Sequence, residues 1–466
     1  MEAVVGSSIK IHNPTSSIMQ QLEAMLTFDN PEYFRKERLG KWTGNVPKQL
    51  SLIERFGDWI NIPFGMLPFV FDNRAAFERI ANCCHVGENS YDYGSRIKPY
   101  DYQEAAIDAA LKARQGVIVA PCGSGKTMIG LEIAARLGKR CLWLTHTSDL
   151  LNQSMIRAKE FLGLANEDYG TITEGRVNVG RVLTFATVQT MSKVQLDKLS
   201  DEFDVVIVDE CHHVVGTPTR VMMFYKVIGA LRARYKFGLT ATPKRSDGLT
   251  GCMFALIGPN VYKIGKSCIE ERLCPVSVEM TPTGYFPDFD VILNPDGTLN
   301  HVIMINELVN DTDRNKIIVD DVELESRNGA CLVLTDRVVH VSLLADELSR
   351  RGVNVRKLGV CTTKQQKEAR NKVLSELNNG KVSVVVATFA LAREGLDVPN
   401  LRYLFMATPQ KNEVIITQSA GRVARKAAGK ESGKIIDYED GSNLLRSWAR
   451  KRTSLYKRLG YTVTNS

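Results

Sequence analysis

No CxxC pair occurs among the ten cysteines of this chain (83, 84, 122, 141, 211, 252, 268, 274, 331 and 361), so the hook that zinc ribbons use is missing. They are scattered through apolar contexts, the pattern of reduced, buried thiols in a cytoplasmic protein. Also missing is any run near the ~20 apolar residues a bilayer-spanning helix needs, and the opening MEAVVGSSIKIHNP lacks the basic start and apolar core of a secretory leader. Membrane and export roles are therefore not expected. Low-complexity stretches and short repeats are absent too. Positive charge is scarce at the beginning, where residues 1–95 hold nine Lys/Arg against eleven Asp/Glu. It gathers at the end, where residues 441–466 carry Arg446, Arg450, Lys451, Arg452, Lys457 and Arg458 and no acid. A net charge of +8 permits a polyanionic partner without requiring one.

What is present is a rhythm. From about residue 115, short β-branched runs alternate with helical patterns: GVIVA, TMIGLEIAARL, RCLWLT, SDLLNQSMIRAKEFL, VLTFAT, VVIVDE, KFGLTAT. Such alternation predicts a parallel sheet with helices on both faces. Five prolines in 259–300 interrupt it and predict an interdomain connection. A second alternation then runs from ACLVLTD to GKIIDYED. The expectation is an α/β chain of two tandem parallel-sheet lobes, 96–265 and 266–466, with a ligand cleft between them. Residues 1–95 form a small accessory domain. Trp42, Trp59 and Phe64 are its candidates for DNA contact, with a core role as the alternative.

GVIVAPCGSGKTMIGLEIAAR reads as strand, glycine loop and helix, the context a phosphate-binding loop requires. Gly123, Ser124 and Gly125 let backbone N–H groups curl toward an anion at a helix N-terminus. Lys126 would reach the β- and γ-phosphates of ATP and Thr127 would offer a hydroxyl to Mg²⁺. Ala120 replaces the first glycine of the usual GxxxxGK[ST]. The stretch VVIVDECHHV at 205–214 raises a choice between a metal site and a carboxylate pair. Cys211 and His212 are adjacent and no second Cys/His cluster could complete a tetrahedron, so the pair is favoured. Asp209 would then hold Mg²⁺ through water, and Glu210 would act as general base toward the attacking water. His212 reads as a polar relay facing the other lobe, and Cys211 as packing.

With GSGKT and DECH in order, the chain resembles superfamily 2 helicases of the DEAH-like group that includes XPB and phage UvsW. YDYQ resembles the adenine-reading element, through Gln103. THTSDLLNQ is similar to motif Ia through Thr147 and Gln153, although His146 stands where the family often has proline. TVQT, with Thr187 and Gln189, resembles a further strand-contacting motif, and LTATP resembles motif III through Thr240 and Thr242. TFALAREGLDVP is similar to motif V through Thr388, Glu394, Gly395 and Asp397; QSAGRVAR resembles motif VI through Gln418, Gly421, Arg422 and Arg425.

The resemblance implies two RecA-like lobes and an ATP- and Mg²⁺-using DNA helicase. It implies 3′-to-5′ tracking along single strands, with forks and junctions as substrates and Thr147, Thr187, Gln189 and Thr388 on the phosphates. Gly395 and Asp397 would join the nucleotide site, and His212, Thr240 and Thr242 would couple hydrolysis to movement. Independently of the name, phosphoryl transfer needs positive charge at the γ-phosphate, and Arg422 and Arg425, three apart, would project with Gln418 from one helix face. The expected state is a cytoplasmic monomer, in host cytoplasm if phage-encoded. An RNA helicase, a double-strand translocase subunit of a restriction-like complex, and a nucleic-acid-binding scaffold with a vestigial ATP site stay open. In the tail, Leu444, Leu445, Trp448, Leu455, Tyr456 and Leu459 predict an apolar helix stripe with a basic opposite face.

Overall fold

The computed structural model describes residues 1–465 apart from 174, 215–222, 244–246, 266, 295, 360–363 and 391–397, and apart from the side chains of 364 and 367. The chain divides into two compact units, Met1–Cys268 and Ile269–Ser466. No described helix is long and apolar enough to cross a membrane.

The first unit is built on an eight-stranded sheet. Its order is Arg176–Asn178, Tyr169–Thr173, Leu183–Thr187, Cys141–Thr145, Val205–Asp209, Tyr235–Thr240, Gln115–Val119 and Asn260–Lys263. All neighbours run parallel except the first pair. The strands Gln115–Val119, Cys141–Thr145, Leu183–Thr187 and Val205–Asp209 are buried at every position. Burial on both faces is why they read as unbroken apolar runs rather than as alternation.

Residues 1–95 form their own sheet, ordered Glu54–Phe56, Trp59–Pro63, Ser8–His12, Glu2–Val5 and Arg79–Asn82. Its core continues into the larger sheet's cover, because Cys252 and Ala255 of the helix Thr250–Ile257, with Leu249 at its N-cap, join the Ile9, Ile11, Ile62 and Phe64 cluster. The approach is so close at Gly65 that a Cβ there would meet the Phe254 and Ala255 carbonyl oxygens. Phe64 is 1% exposed and Trp59 lies against His12, ring centroids 4.6 Å apart, so two of the three aromatics considered for nucleic-acid contact are used in packing. Trp42 is 87% exposed.

The second unit carries a seven-stranded, wholly parallel sheet. Its order is Val355–Leu358, Val384–Thr388, Ala330–Thr335, Leu401–Met406, Gly433–Glu439, Val276–Pro282 and Thr462–Asn465. The division between the units falls at Cys268 and Ile269, inside the expected connection at 259–300, but the connection is shorter than the prolines suggested. Asn260–Lys263 is an edge strand of the first sheet and Val276–Pro282 lies inside the second, with Pro275 and Pro282 at its ends where a missing N–H does no harm. The tail helix Asn443–Arg458 buries Leu445, Trp448, Leu455 and Tyr456 as expected, while Leu444 and Leu459 are partly buried. Arg452 departs from the basic face: it is 2% exposed and donates to both carboxylate oxygens of Asp437 at 2.7 and 3.0 Å.

Candidate nucleotide-binding site

The glycine loop follows the strand Gln115–Val119 and opens the helix Lys126–Leu137. Gly123 and Gly125 take φ of +86° and +78°, the left-handed region a side chain resists, and Gly125 is the helix N-cap. The loop is held from within and from the side. Ser124 Oγ donates to the Pro121 carbonyl at 2.7 Å, and Gln103 Nε2 donates to the Ser124 carbonyl at 2.8 Å. The Gln103 carbonyl oxygen accepts from Tyr100 N at 3.0 Å, so this carboxamide ties the start of its own helix to the loop. Tyr102 also donates to Ser124 O, at 3.4 Å.

The helix start carries Lys126 and then Thr127. Lys126 Nζ lies 3.4 Å from Glu210 Oε1, and Asp209 Oδ1 accepts from the Glu210 N–H at 2.9 Å. Two ends of separate strands are thereby joined by one lysine. Burial alone would drive the Lys126 ammonium toward neutrality, but the Glu210 carboxylate, with Cys122 and Asp209 behind it, holds its pKa above the usual lysine range. Glu210 responds oppositely: burial pushes its carboxyl up, yet Lys126 and then His212 pull it below the usual range. Burial and the neighbouring Glu210 charge raise Asp209. The backbone of Glu210 sits at φ +49°, uncommon for a non-glycine residue and found where surrounding contacts fix it.

His212 is 5% exposed, with Nδ1 3.3 Å from Glu210 Oε2 and 3.1 Å from Thr240 Oγ1. Thr240 Oγ1 also accepts from Thr242 N at 3.2 Å. These contacts of the relay lie within the first unit. Cys211 points into the apolar core, 3.5 Å from Met253 Sδ, as a packing residue.

Three of the four strand-contact candidates, Thr147, Thr187 and Gln189, lie at or just after the ends of adjacent strands of the first unit, where Thr187 pairs with Thr145. Thr147 is the N-cap of Ser148–Phe161, its hydroxyl accepting from Leu150 N at 3.4 Å. Thr187 Oγ1 donates to Thr190 Oγ1 at 3.1 Å, and Gln189 Nε2 donates to the His146 carbonyl at 2.6 Å. What links them to the acidic pair was not visible in the sequence. The rings of His146 and His213 stand 3.8 Å apart and those of His213 and His212 4.2 Å, a file of three imidazoles. Neither His146 nor His213 belongs to a periodic pattern, so only the folded chain reveals the stack.

In the second unit, Gln418 and Arg422 lie on the helix Glu413–Val423, one turn apart, and Arg422 is 8% exposed. Arg425 is not on that helix, contrary to the expectation of one shared face. The helix ends at Val423, whose carbonyl accepts from Lys430 Nζ at 2.6 Å, and Arg425 bridges Leu273 in an extended pair. The competing backbone partner, reinforced by Cys274 N on the Ala424 carbonyl at 2.9 Å, draws the chain out of the helix. Thr388 ends the strand Val384–Thr388 and is 6% exposed. Glu394, Gly395 and Asp397 lie outside the described residues.

Two family models match in order: the type III restriction enzyme res subunit at residues 96–245 and the helicase conserved C-terminal domain at 313–427. A probable helicase D10 of Escherichia phage T5 is 28% identical over 345 residues, covering 73% of this chain and 72% of that protein. A DNA 3′-5′ translocase XPB2 of Sulfurisphaera tokodaii is 25% identical, covering 71% of this chain and 79% of its own length. Among solved structures, Saccharomyces cerevisiae Dbp5 bound to RNA and ADP BeF3 matches with a TM-score of 0.57 at 15% identity, over 79% of this chain and 90% of that one. That likeness establishes the two RecA-like folds and nothing finer. With a res-type first lobe and a helicase C-terminal second lobe on one polypeptide, the chain belongs to the superfamily 2 helicases and is a nucleic-acid-dependent ATPase.

Proposed function

We propose that this ATPase is a DNA motor that tracks single strands 3′ to 5′, as a cytoplasmic monomer, and remodels forks and junctions. The observation that carries the reading is the Lys126, Asp209 and Glu210 cluster, linked through His212, His213 and His146 to Thr147 and Gln189 at neighbouring strand ends.

In this reading the N–H groups of the glycine loop and Lys126 hold the phosphates of ATP. Gln103 sets the loop and borders the base. Thr127 and the buried Asp209 suit magnesium, since both offer hard oxygen donors beside the lysine. Magnesium, when bound with the nucleotide, offsets charge on the phosphate oxygens. Glu210, kept ionised by Lys126 and His212, takes the proton of the attacking water as its oxygen bonds to the γ-phosphorus and the bond to the β-phosphate oxygen breaks. Arg422 and Arg425, aided by Gln418, are assigned to the growing charge on the γ-phosphate oxygens, and Gly395 and Asp397 to the nucleotide site. Thr147, Thr187, Gln189 and Thr388 touch the strand through its phosphates, which read no sequence and make binding salt-sensitive. His212, Thr240 and Thr242 couple the two events.

The deciding experiment compares ATP hydrolysis and unwinding on single strands, 3′- and 5′-tailed duplexes, plain duplexes, forks, four-way junctions and RNA duplexes. Forks and junctions with 3′ tails should stimulate most. Equal stimulation by RNA removes the DNA assignment, and unwinding from 5′ tails removes the polarity. The translocase among the relatives supports a second reading, duplex tracking without strand separation, which plain-duplex stimulation with no unwinding would establish.

A further inference from the structure

The accessory domain contains an excursion, residues 31–48, closed at its base by Asn30. Asn30 N donates to the Lys48 carbonyl at 2.9 Å and Asn30 Nδ2 to the Pro47 carbonyl at 2.7 Å, beside the strand pair Thr27–Asp29 and Gln49–Ser51. Its helix Pro31–Arg38 buries no residue completely. The excursion carries Arg35, Lys36, Arg38, Lys41 and Lys48 against only Glu32 and Glu37. Among the described residues none of these five cations forms an ion pair. Arg35, Arg38, Lys41 and Lys48 are exposed to solvent.

In their midst stands Trp42, 87% exposed. Its indole is not loose. A Cβ on Gly44 would meet Cζ3 at 3.0 Å and Cη2 at 3.2 Å, so the ring rests against Gly44 and presents its remaining surface outward. Gly44, at φ +53°, supplies both the turn and the space beneath the ring. Burying this indole on a partner would rest the partner on the cations as well. The partner must therefore offer flat aromatic faces and closely spaced negative charges together, which a nucleic-acid strand with unpaired bases does.

We propose that loop 39–48 is a stacking platform for such a strand: Trp42 stacks on an unpaired base while Arg38, Lys41 and their neighbours hold the flanking phosphates. Strand binding by the platform can be tested without nucleotide, and its failure would leave the ATPase reading intact.

The test uses the full chain, with fluorescence anisotropy on labelled oligo-dT, oligo-U and a blunt duplex, and tryptophan emission read in parallel. Trp42→Ala should weaken single-strand binding about tenfold and blunt-duplex binding little, whereas Trp42→Phe should keep most of the affinity. Gly44→Ala, which lifts the ring without removing it, should fall between. Removing Arg38 and Lys41 together should flatten the log–log salt dependence by roughly 1.4, from about 0.7 per phosphate contact on a single strand. The oligo-dT and oligo-U arms tell DNA from RNA. Unchanged single-strand affinity and salt slope in these variants would overturn the proposal. So would tryptophan emission that shifts with anionic lipid vesicles and not with oligonucleotides, the shift being lost in Trp42→Phe.

Discussion

At the scale of the residue, the site depends on one cation shared by two buried acids. Without Lys126, Glu210 keeps its burial and loses the charge that holds it ionised. Lys126→Ala should therefore lower strand-stimulated ATP hydrolysis at least ~100-fold while leaving strand binding within about threefold, as a coupled hydrolysis assay and anisotropy would read. Turnover near the wild-type rate would remove the mechanism. The imidazole file makes a different claim. Through their rings, His146 and His213 join the Gln189 contact to the turn after Glu210. His146→Ala should reduce the stimulation of hydrolysis by single strands about tenfold with little change in the rate measured without strand. Loss of both rates in parallel would point to a folding defect instead.

At the scale of the element, buried basic side chains pin sheets to their neighbours. Lys236, on the strand Tyr235–Thr240, donates to the Ser7 carbonyl at 3.3 Å and the Ile228 carbonyl at 3.1 Å and lies over the Phe64 ring at 4.3 Å. Burial pulls its pKa down to about 7. The unfolded chain, titrating near the ordinary lysine value of ~10.4, thus binds more protons than the folded chain between those limits. Stability contributed by this group rises with pH across that window and is least below pH 7. Lys236→Met should flatten the dependence, measured as urea midpoints of the first unit from pH 7 to 10. In the second unit the Arg452 guanidinium and the Tyr456 hydroxyl, at 3.0 Å, meet on Asp437, which is 0% exposed. Arg452→Ala should destabilise by about 3–5 kcal/mol, because a lone buried carboxylate is worse than none. Adding Asp437→Asn should recover part of that loss in the same denaturation experiment.

At the scale of the whole molecule, each unit closes its own cores around its own sheet. Fragments 1–268 and 269–466 should accordingly fold separately, as circular dichroism and cooperative melts would reveal. The first fragment should bind ATP and hydrolyse it at least ~10³-fold more slowly than the full chain in the presence of single strands, since Gln418, Arg422 and Arg425 are on the other. Full turnover by the first fragment alone would exclude a catalytic part for those arginines.

Lobes, glycine loop and acidic pair were legible because their signals are local: apolar runs bounded by turns, a loop of fixed glycine spacing, and acids at a strand end. Gln103 was legible as a candidate, while its bond to Ser124 was not. The strand Val276–Pro282 was hidden by its prolines, and the exit of Arg425 from its helix by a backbone partner in Leu273, 152 positions earlier in the sequence. The imidazole file, the pinning of Lys236 and the seat of Trp42 on Gly44 likewise belong to the tertiary structure. The sequence by itself determined the order of strands and loops, and with it the chemistry available, because propensity and spacing act between near neighbours. Folding decided which side chains share a dry environment. Burial and proximity arise between distant segments, and they set every shifted charge in the site.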